Sequence, residues 1–286
     1  MPMEIGTRTQ FCGVIGNPVD HSLSPALHNA AFRAVGVDCV YLAWKVERIG
    51  DALKGLKALG NFRGASVTIP HKLAAIPFLD EIDPIARRIG AINTIVAEEG
   101  RLVGYNTDAS GALRALREGG VVLTGCRVVV LGSGGAARAI AFALAVESDV
   151  EKLVILGIDR DERTTLVNDL RSQTPLPVED NELDEDTLRR ALPDAHILIH
   201  CTPVGMVPRV DDTCVPASLL HPKLTVMDIV YNPRTTRLLR EAQQVGCRTI
   251  SGLEMFLHQA MAQFELWTNR SAPVDVMRAV LESRFS

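Results

Sequence analysis

The sequence predicts an α/β protein built from two α/β domains, and three observations carry that prediction. Short apolar runs alternate with stretches of helical period along nearly the whole chain. Several runs, among them RVVVLG (127–132) and KLVILG (152–157), are continuously apolar, as parallel strands buried on both faces are. The alternation also restarts near Asp108, which marks a junction between two units. With 286 residues, 47% apolar and 22% charged, the chain is long enough for two ordinary cores. The expected division is residues 1–107 plus 252–286 in one domain and residues 108–251 in the other.

The first strand is FCGVIG (11–16). SPALHNAAFRAVG (24–36) follows as a helix, because its apolar residues recur at three and four and Ser24 and Pro25 supply an N-cap and a first-turn proline. VYLAWKV (40–46) is a strand, IGDALKGLKALG (49–60) a helix closing on Gly60, and FRGASVTI (62–69) a further strand. IDPIARRIGA (82–91) gives a short helix, and NTIVAEEGRLVGYN (93–106) a hairpin turning at EEG. Beyond Asp108, ASGALRALREGG (109–120) is helical, RVVVLG a strand and GAARAIAFALA (135–145) an alanine-rich helix. KLVILGI (152–158), AHILIHC (195–201) and KLTVMDIV (223–230) supply three more strands. The acidic VEDNELDED (178–186) reads as a solvated loop and helix start. In LEMFLHQAMAQFELW (253–267), Leu253, Phe256, Leu257, Ala260, Phe264 and Trp267 share one face of a helix.

Composition narrows the function. A net charge of −4 with interspersed signs offers no basic stripe for nucleic acid and no polybasic patch for a membrane surface. No apolar run reaches the ~20 residues of a membrane span, and the opening MPMEIGTRTQFCGVIG does not read as a secretory leader. The six cysteines show no CxxC pairing and are expected to be buried free thiols in a reducing cytoplasm. The histidines lack HxxxH or HExxH spacing, so no metal is expected.

The first chemical motif is VVVLGSGGAARAI (128–140). It places Gly132, Ser133, Gly134, Gly135 and Ala136 between a strand and a helix, where backbone N–H groups can approach a pyrophosphate at the helix's positive end. After the next strand, Gly157 stands where an NAD enzyme carries an acid for the ribose hydroxyls. Its absence and the nearby Arg160 favour a 2′-phosphate, while Asp159 argues the other way. The reading leans to NADP, with NAD left open.

The second motif, GASVTIPHK (64–72), ends an apolar strand on a hydroxyl, an imidazole and an amine, with His71 expected to face solvent. Together with GNPVDHSLSPALHN (16–29), GAINT (90–94), GYNTD (104–108), LGSGGAARA (131–139), CTPVGM (201–206), DIVYNPRTTRLL (228–239) and GLEMFLHQA (252–260), it resembles the shikimate dehydrogenase family and its quinate/shikimate relatives. The resemblance runs through almost the whole chain. It implies a substrate-binding first domain, a Rossmann-like NAD(P)-binding second domain, and reversible NADP(H)-dependent reduction of 3-dehydroshikimate to shikimate in chorismate and aromatic amino-acid biosynthesis. Two alternatives stay open, an NAD-dependent quinate/shikimate dehydrogenase and a catalytically silent nucleotide-binding sensor. A homodimer is compatible with the resemblance.

Reducing a ketone builds negative charge on its oxygen, so a cation or proton donor there lowers the barrier. By resemblance, Lys72 is that group and Asp108 its carboxylate partner. Ser22 and Ser24 match the family's carboxylate-binding serines, and Thr68, Asn93 and Gln259 positions that read ring hydroxyls. Tyr231 matches a substrate-side tyrosine. Thr202 lines the nucleotide's path, and Ile229, Gly252 and Met255 enclose the nicotinamide. Two departures touch selectivity: Ser66, also on the substrate side, stands where many members have Asn, and GID (157–159) replaces the usual nucleotide-specifying NRT.

Overall fold

The computed structural model describes residues 4–284. In chain order its elements are β1 (Gln10–Gly16), α1 (Ser24–Val35), β2 (Cys39–Lys45), α2 (Ile49–Lys57), β3 (Phe62–Val67), α3 (His71–Ala74), β4 (Glu81–Ile82), α4 (Pro84–Ile89), β5 (Thr94–Glu98), β6 (Arg101–Tyr105) and α5 (Thr107–Glu118). The chain continues through β7 (Arg127–Leu131), α6 (Gly135–Glu147), β8 (Lys152–Gly157), α7 (Arg160–Gln173), β9 (Val178–Glu182), α8 (Glu185–Ala191), β10 (Ile197–His200), β11 (Thr225–Asp228), α9 (Arg237–Val245), β12 (Arg248–Ser251), α10 (Gly252–Thr268) and α11 (Val274–Ser283). Two compact units result, one holding the chain to Thr107 together with the segment from Gln259, the other Asp108–His258. No helix among the described residues is long and apolar enough to cross a membrane.

In the first unit the sheet order is β2-β1-β3-β5-β6-β4. β1 runs parallel to β2 and β3, whereas β5 is antiparallel to both β3 and β6. The β5–β6 hairpin turns at Glu99 and Gly100, both at positive φ, the geometry of a two-residue turn whose twist matches its strands. Ile15, Leu53, Ala65, Ile92 and Ile95 pack into one core. Asp83 caps α4 by accepting the N–H groups of Ile85 and Ala86, and Pro84 opens the helix.

The second unit's sheet is parallel throughout, in the order β12-β11-β10-β7-β8-β9. The chain starts in the middle at β7, winds out to β9, then returns beside β7 with β10 and winds out the other way. This is the doubly wound arrangement, whose strand order reverses between β7 and β10. Alanines at 137, 139, 141 and 143 are buried on α6.

Several local readings are corrected. The acidic 178–182 stretch is an edge strand, β9, paired only with β8 in the sheet. An edge strand needs few apolar residues, and here Val178 alone is fully buried. α2 closes on Ala58, before Gly60, and β3 ends at Val67, two residues short of the apolar run. The residue capping α1 is Leu23, with Ser24 already helical. α10 is buried around most of its circumference, including Met255, His258, Gln259, Met261 and Gln263, so its polar residues do not mark a solvent face. Cys126, Cys201 and Cys214 are half-exposed free thiols; only Cys12, Cys39 and Cys247 are buried.

His28 on α1 is fully buried, stacked on Tyr41 with ring centroids 4.6 Å apart and meeting Trp267 edge-on at 5.1 Å. Neither ring nitrogen has a hydrogen-bond partner, and the nearby Gln263 amide is engaged elsewhere. Burial therefore pushes its pKa down to about 3. Between that value and the ordinary ~6.5 of an unfolded histidine, the unfolded chain binds the extra proton, so stability falls as pH is lowered. Denaturant titrations should show this group removing about 2 kcal/mol between pH 7.5 and pH 5. The His28→Phe variant should lose less stability over the same interval; an identical loss would contradict the assignment.

Candidate functional site

In the second unit the glycine loop lies where the strand order reverses. Gly132 follows β7 at φ 106°, a conformation that a side chain strains. A Cβ there would stand 3.1 Å from the Cys201 carbonyl oxygen and 3.3 Å from the Thr202 methyl carbon. Glycine meets both demands of this position, the positive φ and the close approach of the loops after β7 and β10. The Gly132 N–H donates to the Leu156 carbonyl at 2.7 Å, tying the same loop to β8. Gly134 caps α6 with no side chain over the first turn, leaving its N–H groups accessible to an anion.

The loop after β8 sets the other edge. Gly157 is buried, and a Cβ on it would meet the Ser133 hydroxyl at 3.1 Å. Asp159 caps α7, its carboxylate accepting the Glu162 N–H at 2.9 Å. Arg160 is the exposed first residue of α7. Arg163, one turn on, is buried and donates to the Gly157 carbonyl at 2.5 Å and to Asp180 at 3.3 Å. Ser133 in turn donates to the Glu162 carboxylate at 3.3 Å. The Asp159 carboxylate is thus committed to a helix end, while Arg160 stays at the surface.

At the ends of β10 and β11 stands a polar cluster that the sequence reading missed. His200 and Asp228 are register partners, and both are buried. His200 Nδ1 meets Asp228 Oδ1 at 2.9 Å, and Nε2 meets the Thr202 hydroxyl at 2.5 Å. Asp228 also accepts from the Val230 N–H at 3.0 Å and from the Thr236 hydroxyl at 2.6 Å. Thr236 in turn caps α9 by accepting the Leu239 N–H. The available signal was a polar residue closing each of two adjacent, otherwise apolar strands, ILIH and TVMD. Nearby, Ile229 and Tyr231 are half-buried, and Tyr231 packs on Phe256 at 4.7 Å. Burial raises the Tyr231 pKa. A Cβ on Gly252 would stand 2.5 Å from the Ile229 carbonyl oxygen, so α10 can begin there only as glycine. Met255 is buried beyond it, and Asp108 is 6% exposed on the first turn of α5.

The first unit holds Ser22, Ser24, Ser66, Thr68, Lys72, Asn93 and Gln259, which the resemblance assigns to the substrate and its reduction. The Thr68 N–H donates to Ile15 at 2.9 Å, and the Thr68 carbonyl accepts from His71 at 2.9 Å. A cis Ile69–Pro70 bond precedes α3, on which Lys72 is half-exposed. The Lys72 carbonyl accepts the Ile92 N–H at 2.9 Å, which anchors α3 beside the GAINT segment. His71 does not face solvent: it is 5% exposed and its Nε2 meets the Val46 carbonyl at 2.8 Å. Ser22 accepts the Ser24 N–H at 3.3 Å at the start of α1.

Ser66 and Asn93 lie deeper than the sequence implied, at 7% and 2% exposure. They belong to a chain of donors running one way. Tyr41 donates to Ser66 at 2.6 Å, and Ser66 to Gln263 at 2.8 Å. Gln263 then donates to Thr94 at 2.9 Å, Thr94 to Asn93 at 2.8 Å and Asn93 to Thr107 at 3.0 Å. The Thr107 N–H closes back on Asn93 at 2.7 Å. Gln259, one turn before Gln263 on α10, is 8% exposed. Gln263 escaped the sequence reading, although its spacing of four from Gln259 put both on one stripe. Replacing Gln263 with Met keeps the volume but leaves the buried Ser66 hydroxyl without its acceptor and the Thr94 hydroxyl without one of its donors. Urea denaturation should register a loss of about 2–3 kcal/mol; an unchanged midpoint would show the chain to be energetically idle.

Residues 14–95 match the shikimate dehydrogenase substrate binding domain, and residues 252–282 the shikimate 5′-dehydrogenase C-terminal domain. The shikimate dehydrogenase (NADP+) of Moorella thermoacetica is 48% identical over 282 residues, covering 98% of this chain and 95% of its own. A shikimate 5-dehydrogenase from Listeria monocytogenes, solved with shikimate and NAD, superposes with a TM-score of 0.91 at 36% identity, covering 98% and 99% of the two chains. The shikimate 5-dehydrogenase of Thermus thermophilus, solved with NADP(H) and shikimate, superposes with a TM-score of 0.84 at 36% identity, covering 96% and 99%. The doubly wound sheet, the glycine loop at its reversal point and these full-length matches together place this chain in the shikimate dehydrogenase family.

Proposed function

We propose that this chain is an NADP(H)-dependent oxidoreductase that reduces 3-dehydroshikimate reversibly to shikimate. The observation that carries the reading is the match at 48% identity over 98% of the chain to a relative named for that activity and nucleotide. In the reaction, hydride from NADPH adds to the ring carbonyl carbon while a proton reaches its oxygen, leaving an alcohol and NADP+. The segment to Thr107 with the C-terminal helices binds the substrate, and Asp108–His258 binds the nucleotide.

Lys72 supplies the proton, since an ammonium both donates it and opposes the charge growing on the oxygen. Asp108 provides the carboxylate that holds this amine in its charged form in the reacting complex. Ser22 and Ser24 receive the substrate carboxylate, aided by the positive end of α1. Thr68 and Gln259 read ring hydroxyls, and the buried Ser66 and Asn93 hold that surface in register. Tyr231 stands on the substrate side; on the nucleotide side, Gly132–Ala136 take the pyrophosphate, Thr202 flanks it, and Ile229, Gly252 and Met255 enclose the reactive ring. Arg160 pairs with the 2′-phosphate, a role supported by its exposure at the tip of β8 and by the capping duty that occupies Asp159. The six free cysteines suit a reducing cytoplasm.

Steady-state assays of shikimate and quinate oxidation with NADP+ and NAD+ test the reading. Shikimate with NADP+ should give the highest kcat/KM; a preference for quinate with NAD+ would overturn it. Lys72→Ala should lower kcat by about 10²–10⁴, and full turnover in that variant would remove Lys72 from the chemistry. Arg160→Ala should raise the KM for NADP+ while leaving that for NAD+ nearly unchanged.

A further inference from the structure

We propose that His200 stands as an imidazolium that donates its Nε2–H to Thr202, and so fixes the Thr202 hydroxyl as a donor towards a phosphate oxygen of the nucleotide. This rests on the nucleotide-binding role of the loop after β10.

The argument is one of donors and acceptors. His200 Nδ1 faces the Asp228 carboxylate, so that nitrogen carries a proton whatever the state of the other. The direction of the bond at Nε2 is then decided by a single proton. A neutral ring would accept the Thr202 hydroxyl and consume its only hydrogen. A charged ring donates instead. The Thr202 oxygen then takes one N–H from His200 and a second from Val204 at 3.3 Å. With both lone pairs occupied, its O–H must point to a third partner.

The surroundings favour the charged ring. The Asp228 carboxylate on β11 faces it directly, and Cys214 also interacts with the ring. Burial is the largest single influence and lowers the imidazole pKa, but the hydrogen bonds and negative charge of Asp228 and Cys214 together outweigh it and carry the value up to about 10. Asp228 is itself held by Thr236 and the Val230 N–H, so the acceptor cannot swing away. The third partner follows from position. The Thr202 methyl carbon is 3.3 Å from where a Cβ on Gly132 would be, at the mouth of the loop leading to the N-terminus of α6. An oxygen anion bound at that helix end is the acceptor within reach of a hydroxyl placed there. His200 is thus a positioning residue, acting through Thr202.

The full chain, labelled with 15N-histidine, allows a direct test by NMR at pH 7.5, with the His200 signal identified by its loss in His200→Gln. Both ring nitrogens should be protonated, and an unprotonated Nε2 would overturn the proposal. In steady-state assays Thr202→Val should raise the KM for NADPH about tenfold with kcat within about twofold of the unsubstituted protein, and Thr202→Ser should restore it. An unchanged KM in Thr202→Val would equally overturn it. Protonation of both nitrogens in a protein that binds no NADPH would instead refute the nucleotide reading while upholding the direction of the bond.

Discussion

The close approach of the loops after β7 and β10 is the constraint on which the second unit depends. Adjacent parallel strands ordinarily send their connections to opposite faces at this point, which leaves a crevice at their carboxyl ends. Here Gly132, at a φ that a side chain strains, lets the Cys201–Thr202 backbone lie against the glycine loop so closely that an added methyl group would force it to shift. At the end of β8, a side chain on Gly157 would crowd the Ser133 hydroxyl of the glycine loop at 3.1 Å. Three loops therefore meet at the start of α6, where unpaired N–H groups and the helix dipole favour an anion. A nucleotide's pyrophosphate suits such a place because the backbone, rather than flexible side chains, presents the donors.

The first unit solves a different problem. Ser66 and Thr94 are paired across β3 and β5 and alternate with Ala65 and Ile95, so the sheet buries polar groups on the face opposite the core of Ile15, Ala65 and Ile95. Each such group costs stability unless it finds a partner. The donor chain from Tyr41 through Ser66, Gln263, Thr94 and Asn93 to Thr107 meets this demand with every proton directed the same way. Such a chain resists rearrangement, because reversing one member leaves two donors facing each other. Rigidity around Ser66 and Asn93 follows from that, and the bond from the Val67 N–H to the Asn93 carbonyl ties it to the segment that leads into Thr68 and α3.

Much of this was legible in the sequence. Continuous apolar runs gave away the parallel strands, and the glycine loop announced its own place between β7 and α6. The acidic β9 was not legible, because an edge strand pairs on one side only and its side chains can remain polar. Nor was His71, whose burial depends on the distant Val46 carbonyl. Ser66 and Asn93 were picked out by resemblance, but the depth at which they lie depends on Gln263, almost 200 residues beyond Ser66. His200 and Asp228 passed as members of the strands AHILIHC and KLTVMDIV; only the parallel register of β10 against β11 brings them together. Local pattern thus reported elements and their faces, and long-range pairing decided which polar side chains met.

A crystal structure of the protein soaked with NADP+ would test the central claim most directly. The pyrophosphate oxygens should lie about 2.7–3.2 Å from the backbone nitrogens that open α6, between the glycine loop and Thr202. A nucleotide bound away from the β7–β10 reversal, or a vacant crevice at saturating NADP+, would contradict it.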